Sequence, residues 1–571
     1  MLEIKKLYCE PDLIEPILFE KGVNLILGET SDTSEKTNGV GKSLSIEFIN
    51  FCLLKRFNES RVSKIPKESF PYSTNICLDF IINDKPITSK RSIEYQDQPI
   101  LIIDGVTVKY ESISDASQQL TNILFGTSSI DENPSFRAVI APLMRDERSE
   151  FKSLIQCHDT VLNIPQDYTP HLYFLGINPV YYSDAKKIQN EIDNTTKAKS
   201  KIKKDVETLT GKSYKEANSD LNELNGQVAQ IKTEVDNLEN NKSFEIVREE
   251  ILELESKLDI QRAKAGTLKS ELSKIQLFKG DNYINESEVE ELYNRFKNGL
   301  GELVKKELVE VTRFKRTIDD FQKSLLSERA KKINEELEET KKVILELDKV
   351  YKDKLTILDK EGVLKNLKVT ISAYQKKLEE QSQLSAFILK FEDYTNQLKS
   401  FKQERNSTIT LLDSLITQSK YKITALENKI LEIHEYVMGN RRSSLKIEVT
   451  EKKEVVNYEL RIHDDGSHSN EREKVFFYDL ALLLTPELEK YHPGFLVHDN
   501  IFDVDQDTLI KSLNYLAESE AELSNKQYIL TLNIDKLHDD EVTRLKLNIE
   551  NFKRAAYTKN KRFLGKHYQE L

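Results

Sequence analysis

The spacing of apolar residues changes twice along the chain. In the first 180 residues it is short and strand-like. Met1-Leu2-Glu3-Ile4-Lys5-Lys6-Leu7 alternates, and Val23-Asn24-Leu25-Ile26-Leu27-Gly28 is an apolar run ending in glycine. Ile76 to Ile82, Ile87 to Ile93 and Ile100 to Tyr110 are apolar stretches joined or broken by Asn83-Asp84 and Asp104-Gly105, the residues of hairpin turns. After Pro179 the spacing becomes three-and-four. It runs through Leu221, Leu224, Val228, Ile231, Val235 and Leu238, then Val247, Ile251, Leu254 and Leu258. It returns in Ile333, Leu337, Thr340, Ile344 and Leu347, and in Ile423, Leu426, Ile430, Ile433 and Val437. Sustained heptads with charged flanks predict coiled coil.

Near residue 440 the strand pattern resumes. Leu445 to Val449 and Tyr458 to Ile462 read as a hairpin pair, Val475 to Leu484 as an apolar helix, and Phe495-Leu496-Val497 and Tyr528 to Thr531 as buried strands. These changes predict an N-terminal α/β lobe over 1–180, a coiled-coil arm over 181–438 and a C-terminal α/β lobe over 439–571. The arm is expected to reverse near Gly299-Leu300-Gly301. Each half of it holds roughly 120 residues, at most ~180 Å at 1.5 Å per residue.

Composition agrees with long solvated helices. Of 571 residues 32% are charged, with 18 Gly, 13 Pro and no Trp. The net charge of −12 excludes a uniformly basic nucleic-acid binder, so any such contact must be a local patch. Cys9, Cys52, Cys77 and Cys157 have no metal-ligand spacing and read as reduced thiols. No apolar run reaches the roughly 18 residues that a membrane span needs, and no signal-peptide pattern opens the chain. A soluble, cytoplasmic protein is expected.

The chemistry centres on Asn38-Gly39-Val40-Gly41-Lys42-Ser43, between the Val23–Gly28 run and the helical Leu44-Ser45-Ile46-Glu47-Phe48-Ile49. Strand, glycine turn and helix start form a phosphate-binding loop. The glycines admit backbone N–H groups to phosphate oxygens, Lys42 offers a charge to the β/γ-phosphates, and Ser43 offers a hydroxyl to Mg²⁺. ATP and Mg²⁺ are the expected ligands. The usual first glycine is replaced by Lys36, and Glu29 to Lys36 form a polar insertion. Asp499 ends a buried strand, where such a fold anchors Mg²⁺.

Several cations are candidates for contacts with nucleotide or DNA. Arg91 faces either a nucleotide or solvent. Arg137, Arg145, Arg148 and Lys152 either meet phosphates or pair with Asp146, Glu147 and Glu150. Lys553, Arg554, Lys559, Lys561, Arg562 and Lys566 lie in Asn551–His567, a stretch without Asp or Glu, and form either a DNA contact or a solvated final helix. Gln156 lies where a metal- and water-sensing glutamine is expected, and nothing local distinguishes it from an ordinary polar residue.

A nucleotide loop near the start, a coiled-coil hairpin and a magnesium-binding strand near the end resemble the SMC/RecN branch of the ABC ATPases across the whole chain. Ser135-Phe136-Arg137, Phe321 to Arg329, Phe477-Tyr478-Asp479-Leu480 and Phe563-Leu564-Gly565 resemble, more narrowly, YydD-type ATPase components of bacterial three-component, Lamassu-like conflict systems.

This resemblance implies an ABC-type ATPase head assembled from both lobes and interrupted by an antiparallel coiled-coil hairpin. It implies a homodimer through ATP-bound heads, double-stranded DNA as a partner, and an effector nuclease with a small accessory subunit in anti-phage or anti-plasmid defence. Asp499 takes the Walker B position, Ser469 that of the signature serine within Gly466 to Arg472, and Asn533 that of the switch histidine. The glutamate that usually follows the Walker B aspartate is Asn500, which cannot take a proton. That loss should slow hydrolysis by about 10²–10⁴-fold unless Asp503, Asp505 or another group substitutes. A RecN-like repair ATPase and a nucleotide-binding coiled-coil scaffold are the alternatives.

Overall fold

The computed structural model describes residues 1–30, 39–126, 133–161, 164–239, 248–278, 302–357, 363–462, 468–502, 504–537 and 544–567. Asn38, Asp503 and the expected reversal at 299–301 lie outside these residues. The chain divides into two units. Met1–Ile192 and Ser400–Leu571 form one, and Asp193–Lys399 the other.

The first unit is α/β. Its strands are β1 (Leu2–Glu10), β2 (Ile17–Leu18), β3 (Gly22–Gly28), β4 (Asn75–Ile82), β5 (Lys85–Arg91), β6 (Ile100–Ile103), β7 (Val106–Lys109) and β8 (Met144–Arg145). From the C-terminal part come β9 (Ser444–Val449), β10 (Val456–Arg461), β11 (Phe495–His498), β12 (Gln527–Asn533) and β13 (Lys553–Tyr557). One sheet has the order β2-β1-β4-β5-β6-β7 and is antiparallel throughout. A second, all-parallel sheet has the order β13-β3-β12-β11-β8. It interleaves the two ends of the chain, because β3 and β8 are N-terminal and their neighbours are C-terminal.

The apolar runs of these parallel strands feed two cores. Val23, Leu25 and Leu27 of β3, Leu496 of β11 and Tyr528, Leu530 and Leu532 of β12 pack on one face. Ile26, Phe495, Val497 and Ile529 pack on the other. The first face is covered by helix His468–Leu484, whose residues from Val475 to Leu484 are buried all round. The second is covered by helix Lys42–Cys52. A β-bulge lies between Ile4 and Lys6 in the pairing of β1 with β4. The amide of Gln527 accepts from Ile4 N and donates to Ile4 O, both at 2.8 Å, and so ties the sheets together.

Helix Lys420–Met438 and the end of helix Val363–Gln418 also belong to this unit. Ile409, Leu412, Ile416, Leu426, Ile430, Ile433 and Val437 are part of its first core, as are Tyr182 and Ala185. Their three-and-four spacing therefore marks a packed helix face at 181–192 and 400–438, where the sequence suggests arm.

The arm unit contains the long helices Tyr214–Glu239, Arg248–Phe278 and Glu302–Ile357 and parts of Val180–Thr210 and Val363–Gln418. Its pairs nest as in an antiparallel hairpin. Arg329 reaches Glu271 (3.4 Å), Arg262 reaches Asp348 (3.0 Å), and Gln381 reaches Asn225 (2.5 Å). Of the predicted heptad residues, Val235, Ile251 and Leu258 meet Tyr351 and Ile371, and Ile333 and Leu337 meet Ala265, Leu268 and Ile275, which the heptads did not include.

Arg91 proves to be a fastener within the core, facing neither a nucleotide nor solvent. It is 1% exposed, donates from Nη1 to Phe51 O and Lys55 O (2.6 Å each), and lies over the Phe51 ring.

Candidate functional site

β3 ends at Gly28, and the next described helix begins at Lys42. Gly39 (φ 70°) and Gly41 (φ 107°) hold the turn in the left-handed region that favours glycine. Gly41 is the helix cap, and the first residues of the helix, Lys42, Ser43 and Leu44, line a cleft. A Cβ on Gly41 would stand 2.5 Å from Cβ of Phe563. The cleft has a volume of about 570 Å³, and Gly39, Val40, Gly41, Lys42 and Ser43 form its floor.

Lys42 is 6% exposed and its ammonium donates to Asn533 Oδ1 at the end of β12. Burial pulls its pKa down, against the opposing pull of Asp499, Asp535 and Glu147. Asp499 follows β11 and is 1% exposed. Thr531 Oγ1 donates to Asp499 Oδ1 at 2.7 Å, while Oδ2 is buried without a hydrogen-bond partner. Burial pushes the Asp499 carboxyl up to about 6, opposed by the hydroxyls of Thr531 and Ser43. A buried carboxylate with one oxygen unsatisfied, facing a serine hydroxyl beside a phosphate loop, fits an oxygen-liganded Mg²⁺.

That strain has a measurable consequence. Asp ionises near pH 3.9 when unfolded and near 6 here. The folded state binds more protons between those values, so Asp499's share of stability is fully present below about pH 4 and lost as pH rises through about 6. Asp499→Asn is expected to stabilise the metal-free protein by about 2–3 kcal/mol at neutral pH. The gain should vanish near pH 4. Thermal unfolding of both proteins across that range, without magnesium, checks this. A gain that persists at pH 4 would assign the effect to packing instead.

Asn500 lines the cleft with φ 59°, a left-handed conformation that asparagine tolerates. Its N–H donates to Thr531 Oγ1 (2.9 Å), its carbonyl accepts from Arg472 Nη1 (3.0 Å), and its Nδ2 donates to Glu147 Oε1 (3.3 Å). Glu147, Arg61, Lys536 and His567 also line the cleft and were not singled out as site residues from the sequence. By sequence alone, Glu147 is a partner for nearby cations. It opens the 3-10 turn Glu147–Ser149, just past β8, and neither element is long enough to leave a periodic signal.

The C-terminal segment forms one wall. Phe563 N donates to Val40 O (3.0 Å), Arg562 Nη1 donates to Gly39 O (2.9 Å), and the Phe563 ring packs on Phe48 and Tyr557. The basic stretch is therefore the strand β13 followed by a turn over the loop, after a single short helix at Ile549–Phe552. Lys559 lies beside Gly39, with Nζ 3.5 Å from where a Cβ would stand. Lys553 pairs with Glu29 and Glu550, Arg554 with Glu20, and Lys561 with Glu15.

Arg145 cannot meet DNA where it stands. It is 0% exposed and binds Asp479 through Nε (2.5 Å) and Nη2 (3.2 Å). Arg137 is half-buried against Leu53 O at 3.5 Å. Gln156 is exposed, donates to Ile164 O, and is absent from the cleft lining. Asp505 caps helix Gln506–Glu518 by accepting from Thr508 N. Ser469 lies in the first turn of helix His468–Leu484; its side chain is outside the described residues.

Residues 428–567 match the family described as "Uncharacterised protein conserved in bacteria (DUF2326)". The chain is similar to "Uncharacterized protein YydD" of Bacillus subtilis (strain 168), with 25% identity over 574 residues, covering 92% of this chain and 91% of that protein. Among solved structures it is similar to an Smc head domain with a coiled coil and joint from Pyrococcus yayanosii (TM-score 0.35, 15% identity, 96% of this chain and 94% of the other). A second is an Smc head domain with an extended coiled coil from Pyrococcus furiosus, bound to the C-terminal domain of ScpA (TM-score 0.31, 10% identity, 100% and 96%). No described helix is long and apolar enough to cross a membrane.

Proposed function

We propose that the α/β unit is an SMC-like ATPase head that binds ATP with Mg²⁺ and hydrolyses it. The observation that carries this reading is the pairing of the glycine turn and Lys42 with Asp499, whose buried Oδ2 lacks a partner. Ser43 and Asp499 would hold the cation, which when bound neutralises charge on the β- and γ-phosphate oxygens. The chain's own contribution is placement. The N–H groups at the start of helix Lys42–Cys52 cradle phosphate, and Lys42, held by Asn533, sets a positive charge at the inner end of the cleft.

In this reading Ser469, at the start of helix His468–Leu484, caps the nucleotide of a second head, so ATP joins two copies. Duplex DNA is the proposed macromolecular ligand, held by phosphate contacts from cations such as Lys559 and Lys561. An effector nuclease and a small accessory subunit in anti-phage or anti-plasmid defence follow from the resemblance to conflict-system ATPases.

The test is ATP turnover by the purified full chain with and without linear duplex DNA, alongside its mass in solution with and without ATP. DNA-stimulated turnover and an ATP-dependent doubling of mass are expected. Absence of both ATP binding and turnover would sink the proposal.

A further inference from the structure

The cleft has lost one carboxylate and gained another. Asn500 stands where a proton-accepting glutamate is expected, and its amide cannot take a proton at neutral pH. The parallel neighbour of β11 is β8, with His498 paired to Arg145 in register. Glu147 and Asn500 each lie two residues beyond that pair, so they leave adjacent strands side by side at the same edge of the sheet. Their side chains meet at 3.3 Å, and both line the nucleotide cleft.

We infer that Glu147 is the general base of ATP hydrolysis, with Asn500 as the donor that orients it. This rests on the ATPase reading above. Asn500 suits a positioning role because its backbone is pinned on both sides, by Thr531 Oγ1 at its N–H and by Arg472 at its carbonyl. An amide N–H engages only one carboxylate oxygen and leaves lone pairs for a water. Glu147 is exposed, as a base that must reach water needs to be. Thr531 links the two functions, accepting from Asn500 N and donating to Asp499.

The step balances simply. The water oxygen forms a bond to Pγ while its proton passes to a Glu147 carboxylate oxygen. The bond from Pγ to the bridging β-phosphate oxygen breaks, and its electron pair stays on ADP. Glu147 then returns the proton to the released phosphate. Catalysis thus uses a carboxylate from the N-terminal part of the chain, held by an amide from the C-terminal part.

The test is Glu147→Gln in the full chain, with kcat and KM separated, together with the affinity for a fluorescent ATP analogue and ATP-dependent association of two copies. The expected result is a fall in kcat of about 10²–10⁴-fold with analogue affinity nearly unchanged and ATP-dependent association retained. Adding Asn500→Glu to that variant should restore at least about ten-fold of the lost kcat, because the carboxylate then comes from the neighbouring strand. A Glu147→Gln variant with kcat within about five-fold of the parent, or a loss confined to affinity, overturns the inference. So does a parent protein that binds ATP without hydrolysing it, an outcome that leaves nucleotide binding standing. A parent that binds no ATP overturns the ATPase reading, and this assignment with it.

Discussion

Lys42→Ala is expected to lower ATP turnover by roughly 10³–10⁵-fold, the order that one well-placed cation supplies in phosphoryl transfer. Lys42 is buried, faces the cleft and is held by Asn533 Oδ1. Asp499, Asp535 and Glu147 surround it closely enough to act on its charge. Removing the ammonium would leave those carboxylates unopposed beside the proposed γ-phosphate position, so repulsion would add to the lost attraction. Lys42→Arg should not rescue, because a planar fork cannot occupy a space sized for a point charge. Turnover assays with both variants, beside circular dichroism to confirm folding, decide it. Activity within about ten-fold of the parent would remove Lys42 from the mechanism.

The second large effect is on stability. The Arg145–Asp479 pair is 0% and 1% exposed and joins β8 to helix His468–Leu484. Arg145 also donates to the carbonyls of Ser153, Leu154 and Gln156, fixing the chain that follows the cleft loop. Burial alone would raise the Asp479 carboxyl, but Arg145 and His498 overcome it and hold it below the usual range. His498 Nε2 lies 3.1 Å from Asp479 Oδ2 and Nδ1 lies 3.0 Å from the Tyr528 hydroxyl. With the ring held neutral by burial, this arrangement has Nε2–H donating to Asp479 and the tyrosine donating to Nδ1.

Arg145→Ala or Asp479→Ala strands a buried charge, and each is expected to cost about 3–5 kcal/mol. The double variant Arg145→Met with Asp479→Leu should recover much of that loss. Because the Asp479 pKa is depressed, its contribution is present above the unfolded value near 3.9 and is lost as pH falls through the lower folded value. Urea unfolding of the three variants gives the comparison; additive single losses would count against a coupled pair.

The readability of the chain followed burial and period. β3, β11 and β12 are covered on both faces, so they appear as apolar runs, and their last residues mark the cleft. The heptads announced helices but not their partners: a seam residue such as Leu426 packs into the α/β core with the same spacing that Leu258 uses in the arm. Arg145 looked like a surface cation because the aspartate that neutralises it lies 334 positions away. Glu147 was hidden for a related reason. Its role depends on strand order, which spacing along one segment does not encode. The basic run after Asn551 suggested a helix by charge alone, whereas its pairing with β3 is a long-range hydrogen-bonding choice.

The interleaving of the parallel sheet also sets a timetable for biosynthesis. β3 leaves the ribosome well before β12 and β13, the strands that claim both of its edges. With roughly 500 residues between them and synthesis at about 5–20 residues per second, its edges stay open for on the order of 25–100 s. Until β12 and β13 emerge, the nascent chain carries an apolar strand with two open edges, a template for pairing with other chains.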